Sequence, residues 1–404
     1  MRRLLVLSAL VAGLVLAGLA PASAKPGRVG APWVTASGPT SITLTWPAAK
    51  GATRYRVTYG ASVAAVKRST APARWTKGRQ TSLRVGGLSP GRTYCFMVSG
   101  RKGSSAGARS SVHCKPTMRR ANDSTRPRTS VATFNVCLLS STCTDSPARL
   151  EAILDRIRRA DADVLVLQEL QGPYGRQLQE RLEAEGYVLG VLYSEYQAIY
   201  YRPERWDLGS FRYTACEPDG RCYEASRTIR DQAWLGATRG QGRMVMVGLE
   251  HRETGTVHRF YGVHLSAGGT DSARRLRRLE TDRLVEKMRS HAEYSSPQRV
   301  VVAGDWNTYR GRTDDYPRVA LARVGLHDAY ERSSTYAFPY RDSYTANRTV
   351  PRRGVLYGDH VDRVFLHDAV GSTDWRVVVR TRNGRYTTPM ASDHNPVRVS
   401  LYLP

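Results

Sequence analysis

A chain of 404 residues is long enough for two domains and a large core. Its formal net charge of +26 points to polyanionic partners: nucleic acid, an anionic cell-wall polymer or anionic lipid. Beyond the first two dozen residues no stretch is long and apolar enough to cross a membrane, which excludes a helical membrane protein for the body of the chain.

The chain opens with Met1-Arg2-Arg3, an apolar run from Leu4 to Ala20, and Pro21-Ala-Ser-Ala24. A basic head, an apolar middle and a small-residue exit describe a secretory signal peptide, residues 1–24, with cleavage after Ala24. An N-terminal anchor is the rival, because the run is nearly long enough to span. The expected location is therefore secreted, extracellular. Oxidising surroundings pair cysteines, and the six fall into three local couples: Cys95 with Cys114, Cys137 with Cys143, and Cys216 with Cys222. Six cysteines allow fifteen connectivities, and proximity alone does not choose among them. A zinc knuckle is not indicated, since no Cys-x-x-Cys occurs.

The charge is uneven. No Asp or Glu precedes Asp123, and residues 1–122 hold 20 of the 61 Lys and Arg, leaving 41 basic against 35 acidic residues behind them. Between Lys25 and Thr117 there are 16 basic residues and no acidic one. The polyanion-seeking part is the front of the chain; the plain alternative is an Arg-rich, solubilising surface.

Residues 28–117 read as all-β. Ser41-Ile-Thr-Leu-Thr-Trp46, Tyr55-Arg-Val-Thr-Tyr59 and Tyr94-Cys-Phe-Met-Val98 alternate with period two. Gly51, Gly60, Gly86-Gly87 and Pro90-Gly91 supply turns between them. Leu44-Thr-Trp46, Tyr55-x-Val57 and Leu88-Ser-Pro-Gly-Arg-Thr-Tyr94 together resemble a fibronectin type III domain. The resemblance makes Trp46 the core tryptophan and Tyr94 the tyrosine-corner residue, and implies a binding or spacing role. Residues 118–128, polar and proline-bearing, read as a linker.

Behind it, strands and helices alternate. Strands are expected at Val131–Val136, Asp163–Gln168, Gln197–Tyr201, Arg243–Glu250, Arg259–Leu265, Arg299–Ala303, Val361–Leu366, Trp375–Arg380 and Val397–Leu403. Ser146-Pro147 caps a helix running to about Ala160, with Leu150, Ile153, Leu154 and Ile157 on one face. A second helix lies near Arg176–Glu185. A long third spans about Ser272–His291, with Leu276, Leu279, Arg283 and Leu284 at helical spacing; its Arg274-Arg275-x-Arg277-Arg278 cluster reads as a solvated face. Many strands with few helices predict two packed sheets with helices outside.

Chemistry concentrates at strand ends. Val300-Val-Val-Ala-Gly-Asp-Trp-Asn-Thr308 is a β-branched run ending in Asp305 and Asn307, which share a side if the segment stays extended. Taken alone it is a capped strand end. Asn135 interrupts the first strand of this half, Glu169 follows the second, His264 and Asp362 sit in strands, and Ser392-Asp393-His394-Asn-Pro396 precedes the last. Burying so many carboxylates without partners is expensive; a divalent cation and a phosphate would resolve the charge. Oxygen ligands without thiolates suit Mg2+, with Mn2+ or Ca2+ as alternatives. No Gly-x-x-x-x-Gly-Lys-Ser/Thr loop and no Gly-x-Ser-x-Gly elbow occur, which argues against nucleotide-driven transfer and a serine hydrolase.

These residues, in this order over residues 129–404, resemble the endonuclease/exonuclease/phosphatase family of DNase-like metal phosphodiesterases. The resemblance implies a four-layer α/β sandwich. It makes Glu169 the principal metal ligand, with Asn135 ordering the site and Asp393 as a further metal-site carboxylate. His264, Asp305, Asn307, Asp362 and His394 become catalytic, with Asp362 orienting the base His394. Glu195 is a candidate partner of His264, and Arg227 a candidate phosphate contact. Trp306 is assigned to packing. Two departures matter: Gln168-Glu169-Leu170-Gln171 lacks the arginine that secreted DNases carry after the glutamate, and His264-Leu-Ser-Ala-Gly-Gly-Thr-Asp271 also fits sphingomyelinase-like or inositol-phosphatase-like relatives. The expectation is a secreted, monomeric, metal-dependent nuclease whose front domain holds a polyanion or cell-wall polymer. A different phosphoester hydrolase is the second reading, and a non-catalytic adhesion protein the third.

Overall fold

The structure, a computed structural model, describes residues 24–138, 142–216, 221–236, 242–312, 314–351 and 360–404. Residues 1–23 of the expected signal peptide lie outside them. Among the described residues no helix is long and apolar enough to cross a membrane.

The front domain is a two-sheet sandwich. Strands β1 (Trp33–Ser37), β2 (Ser41–Thr45), β3 (Arg54–Gly60), β4 (Ala73–Trp75), β5 (Ser82–Gly86), β6 (Thr93–Lys102), β7 (Ser105–Arg109) and β8 (His113–Pro116) are joined by turns and one short helix, α1 (Val63–Lys67). Sheet order is β1-β2-β5 in one layer and β4-β3-β6-β7 in the other, with β8 also on β6. The period-two alternation explains the core: Ile42, Leu44, Tyr55, Val57, Val85, Phe96 and Val98 point inward and are buried. Trp46 lies edge-on to Tyr55 with centroids 5.5 Å apart. The Tyr94 hydroxyl accepts from the Ser89 amide at 3.0 Å, closing the expected corner. Cys95 and Cys114 face each other across β6 and β8 and form a disulfide.

The second half has four layers. β9 (Arg128–Asn135), α2 (Pro147–Ala160), β10 (Val164–Gln168), α3 (Gly172–Ala184), β11 (Val188–Tyr193) and β12 (Gln197–Tyr201) come first. β13 (Trp206–Leu208), β14 (Ser210–Cys216), β15 (Cys222–Thr228), β16 (Arg230–Trp234), β17 (Arg243–His251), β18 (Thr256–His264) and α4 (Asp271–Ser290) follow. The chain ends through β19 (Val300–Asp305), α5 (Tyr316–Arg323), β20 (Leu326–Asp328), α6 (Ala329–Arg332), β21 (Tyr336–Ala337), β22 (Asp362–His367), β23 (Gly371–Val377), the two-residue strands β24 (Thr381–Arg382) and β25 (Arg385–Tyr386), and β26 (Val397–Tyr402). One seven-stranded sheet runs β11-β12-β10-β9-β26-β23-β21. The other runs β13-β17-β18-β19-β22-β20, with β16 on β17. Val131, Val166, Ile199, Val245, Val301, Val364 and Val399 fill the space between the sheets. Leu150, Ile153, Leu154, Leu178 and Leu182 of α2 and α3 cover the first sheet, and Leu284, Val285, Met288 and Leu321 of α4 and α5 the second. Because both faces of each central strand are covered, those strands read as near-continuous apolar runs.

One expectation is corrected. The buried stripe of α4 is Arg277, Glu280, Thr281, Leu284, Val285 and Met288, with Leu276 and Leu279 only half-buried. Arg277 is thus not on a solvated face. It donates to the carbonyls of Ser266 and Gly268, each at 2.8 Å. The polar stretch 118–128, expected as a linker, is tied to the second half. Arg119 pairs with Asp368 at 3.2 Å, and the Asn122 side chain bonds both backbone groups of Ser372.

The two halves pack directly. Ala36 bridges Thr335, and the Ser37 amide donates to the Ser334 carbonyl at 2.8 Å. Lys115 is fully buried between them. Its ammonium donates to the carbonyls of Pro116 (2.9 Å) and Glu331 (3.1 Å) and faces the rings of Tyr330 and Tyr336 at 5.4 and 5.1 Å.

Candidate active site

The polar residues at the strand ends converge at one rim of the inter-sheet seam. β9 and β10 run parallel with Asn135 opposite Gln168, so Asn135 and Glu169 emerge together. β18 and β19 run parallel with His264 opposite Asp305, and β22 sets Asp362 across from Asp305. Gly304 permits this. A Cβ there would lie 1.9 Å from the Val263 carbonyl oxygen, so only glycine lets β18 and β19 close at this level.

Asn135 bridges the two sheets. Its amide donates to Glu169 Oε1 at 2.9 Å and to Asp305 Oδ2 at 3.3 Å, while its carbonyl oxygen accepts from the Cys137 amide at 3.0 Å. Glu169 Oε2 is buried and has no hydrogen-bond partner. His264 Nε2 stands 3.8 Å from Glu169 Oε1 and 3.7 Å from Asp305 Oδ2. His394 Nε2 stands 3.7 Å from the same Asp305 oxygen and 4.0 Å from Asp393 Oδ1. Two imidazoles and three carboxylates therefore surround a space of a few ångströms.

His394 is fixed from behind. Its Nδ1 lies 2.8 Å from Asp362 Oδ2, and Asp362 is fully buried. The Asp362 amide donates to Ser343 Oγ at 3.0 Å, and the His394 amide to Ser392 Oγ at 3.0 Å. Burial alone would lower the His394 pKa; the carboxylates of Asp362 and then Asp305 outweigh it and raise it to about 10. Burial pushes the Asp362 carboxyl up, and the imidazole beside it pulls it back.

Asn307 differs from the extended geometry expected of it. It takes left-handed backbone (φ 50°), so the chain turns immediately after Asp305. Asp305 Oδ1 accepts from the Asn307 amide at 2.9 Å, an Asx turn, and Asn307 Nδ2 donates to the Leu265 carbonyl at 2.9 Å. The turn and the site are one structure. Trp306 points the other way, fully buried, with its indole donating to the Arg363 carbonyl at 3.2 Å and its ring 4.6 Å from Phe365.

Two candidates fall outside the cluster. Glu195 lies on the surface between β11 and β12, paired to Arg176 at 3.5 Å rather than to His264. Arg227 is exposed on the β14–β15 hairpin and donates to the Tyr294 hydroxyl at 2.8 Å. Both sites are set by loop and hairpin geometry, which no strand-end pattern foretells. Cys137 and Cys143 form a disulfide near Asp393, so no thiolate is available there. Cys216 faces Cys222 across the hairpin; the Cys216 side chain lies outside the described residues.

Four contributors were not legible as site residues. Arg149 is buried at the start of α2 and donates to the carbonyls of Val136 and Cys137, holding the chain behind Asn135. Glu280 accepts from the Ser266 amide at 2.9 Å and, with Arg277, grips the loop after His264. Arg243 faces His264 across β17 and β18, clasped by the rings of Tyr196 (4.1 Å) and Trp234 (4.8 Å), with its Nε unpartnered. Tyr344, 45% exposed, bridges His394 through backbone and lies 5.0 Å from its ring. A buried arginine in a helix's first turn is the one such signal a sequence carries.

The donor set fits a hard divalent cation. Glu169, Asp393 and Asp305 offer oxygens only, Asn135 turns its amide NH2 toward two of them and its oxygen to the Cys137 amide, and the orphaned Glu169 Oε2 is a buried acceptor with nothing to accept. Asp362 and His394 are engaged with each other, which makes them a carboxylate–imidazole pair and not a cage.

A family model described as "Endonuclease/Exonuclease/phosphatase family" matches residues 132–394, and a fibronectin type III domain model matches residues 28–114. No curated protein matches. Among solved structures, an endonuclease/exonuclease/phosphatase family protein from Bacteroides thetaiotaomicron is 17% identical, with 68% of this chain and 98% of that one covered and a TM-score of 0.49. A mannosyl-6-phosphatase of the same organism is 19% identical, covering 68% and 99%, with a TM-score of 0.47. TDP2 from D. rerio, complexed with single-strand DNA product, is 18% identical, covering 69% and 99%, with a TM-score of 0.46.

Proposed function

Because the chain belongs to the endonuclease/exonuclease/phosphatase family and is a phosphoester hydrolase, we propose that it is a secreted nuclease that hydrolyses DNA or RNA phosphodiester bonds with Mg2+. One observation carries the metal-dependent reading: Glu169 Oε2 is buried without a partner, on a carboxylate whose other oxygen meets Asn135 and stands 3.8 Å from His264.

Glu169 and Asp393 would hold the cation, with Asn135 ordering the Glu169 carboxylate; the cation's chemistry is to polarise a phosphoryl oxygen and lower the pKa of bound water. The chain's own groups do the rest. Asp362 fixes His394 with Nδ1 toward the carboxylate, leaving Nε2 to take a proton from the attacking water. As the charges stand, Asp362 and Asp305 hold His394 protonated up to about pH 10. His264 Nε2 would donate to the phosphoryl oxygen. Asn307 has one amide hydrogen engaged by Leu265 and a second free to do the same.

Nucleic acid is the first substrate for two reasons. The front domain carries 16 basic residues and no acidic one between Lys25 and Thr117, a surface suited to a polyanion, whether nucleic acid or cell-wall polymer. Arg243, clasped between two rings beside His264, suits a flanking phosphate. A sphingomyelinase-like or inositol-phosphatase-like activity is the second reading. It is favoured by a cavity of about 540 Å³ lined by Gly269, Arg274, Arg277, Gly311, Arg312 and Asp314, where three guanidiniums against one carboxylate suit a compact phosphate ester.

The test is a substrate panel. The purified mature chain is incubated with DNA, RNA, sphingomyelin and a chromogenic phosphodiester, with and without Mg2+. Magnesium-dependent cleavage of DNA or RNA that weakens with salt supports the nuclease reading; cleavage confined to sphingomyelin micelles replaces it with the second.

A further inference from the structure

On the outer face of the front domain's larger sheet, one aromatic ring stands among arginines. Residues paired across strands share a face. Arg54 pairs with Arg101, and Arg56 with both Trp75 and Ser99; Ser99 pairs in turn with Arg109. Tyr55, Val57, Phe96 and Val98 take the inward positions between them and are buried, so Arg54, Arg56, Trp75, Arg101 and Arg109 face outward. The Trp75 ring is 44% exposed. The Arg54 guanidinium lies 4.5 Å from its centroid and that of Arg101 5.8 Å.

We infer that this face is a second nucleic-acid site, remote in sequence from the catalytic residues, which binds single-stranded DNA or RNA by stacking a base on Trp75 and seating flanking phosphates on Arg54, Arg56 and Arg101. Three observations select that ligand. The guanidiniums that hold the ring also keep positive charge beside it, which is the combination a base and its phosphate require. No carboxylate anywhere in residues 25–117 opposes a phosphate. The neighbours of Trp75 on this face are arginines rather than apolar side chains, so it offers no surface for burial in lipid or in a protein core. Cell-wall polyphosphates carry the charge but no base to stack. The inference rests on the nuclease reading for its purpose, which is to hold a strand near the hydrolytic site, but not for its chemistry.

Binding is measured on the full mature chain in EDTA, where hydrolysis is blocked, by anisotropy of a labelled oligothymidylate across a salt series. Trp75→Ala should weaken binding by about 5-fold or more, the loss of one base–aromatic stack. Arg54→Ser and Arg101→Ser should each reduce the salt slope by about 0.7. Arg84→Ser removes the same charge from the opposite sheet and should leave the slope unchanged. Thermal unfolding of each variant, matched to wild type, excludes misfolding. Binding by Trp75→Ala equal to wild type, equal effects of Arg84→Ser and Arg54→Ser, or inorganic polyphosphate competing as well as the oligonucleotide would each overturn the site. Failure of the nuclease reading looks different: wild type would bind the oligonucleotide with these variant effects intact, yet cleave no nucleic acid with Mg2+.

Discussion

Glu169 and Asn307 both take left-handed backbone, at φ 60° and 50°, directly after a strand. For a non-glycine residue that conformation costs roughly 1–2 kcal/mol, and here the side-chain bonds of Asn135 to Glu169 and of Asn307 to Leu265 hold it. Asn307→Gly removes the amide but suits the backbone. It should melt no lower than wild type while losing about 100-fold or more in turnover, the scale of one lost oxyanion donor; thermal unfolding and steady-state rates read the two effects separately. Glu169→Gln removes a buried charge that has an unpartnered oxygen. In EDTA it should be as stable as wild type or more so, and it should lose the rise in melting temperature that Mg2+ confers on wild type by binding the native state. A matching rise in both proteins would remove Glu169 from the cation site. The site residues Asn135, Glu169, His264, Asp305, Asn307, Asp362, Asp393 and His394 were legible because each polar group abuts an apolar strand, which is visible in sequence. Glu195 and Arg227 were misplaced because a loop and a hairpin decide where they point. Arg243 and Tyr344 carry no such signal, since their environment is made by strands and segments far apart in the chain.

At the scale of elements, β19 is held by its neighbours on both edges and both faces. Its six residues are all buried, and Gly304 is where β18 comes closest. Gly304→Ala has no flexible neighbour to displace, only the Val263 backbone at 1.9 Å. It should destabilise the protein by about 3 kcal/mol, the upper range for overpacking a core, and abolish activity by parting His264 from Asp305. Urea unfolding checks the first and rates the second; a variant of wild-type stability would show that the β18–β19 approach is not tight. The central strands of the two sheets were legible as apolar runs, with boundaries shifted by a few residues, whereas β11, β13, β16, β20 and β21, short or toward the sheet edges, were not. The β14–β15 hairpin was not legible, because Phe211, Arg212, Ser226 and Arg227 alternate polar with apolar only weakly. The stripe of α4 was misread for a physical reason: Arg277 and Glu280 are buried because they bond the loop after His264, and charged residues otherwise argue for solvent.

The whole molecule is one packed body, and its seam is basic. His113 and His360 are buried there with Lys115. Burial first, then the charges of Lys115 and His360, lower His113 to about 3. Burial, opposed by Asp328 and reinforced by Arg363, lowers His360 to about 4. Both folded-state values lie below the ordinary 6.5, so the unfolded chain binds more protons between them. Their contribution to stability is whole above about pH 6.5 and is lost as pH falls toward 4 and then 3. Melting temperature should therefore drop through that window, and Lys115→Met, by removing a cation whose charge lowers His113, should make the drop smaller and end it at higher pH, its onset near pH 6.5 unmoved; an unchanged profile would place the acid sensitivity elsewhere. That seam was not legible, because the front half comes together with residues 331–335 and 368–372 only in three dimensions. The central claim, that this chain is a metal-dependent nuclease acting through the Asp362–His394 pair, is tested most directly by incubating wild type and His394→Ala with plasmid DNA in Mg2+ and in EDTA. Cleavage by wild type in Mg2+ alone, reduced at least about 100-fold in His394→Ala, is the predicted result; equal inertness of both proteins, or cleavage by wild type undiminished in EDTA, would contradict it.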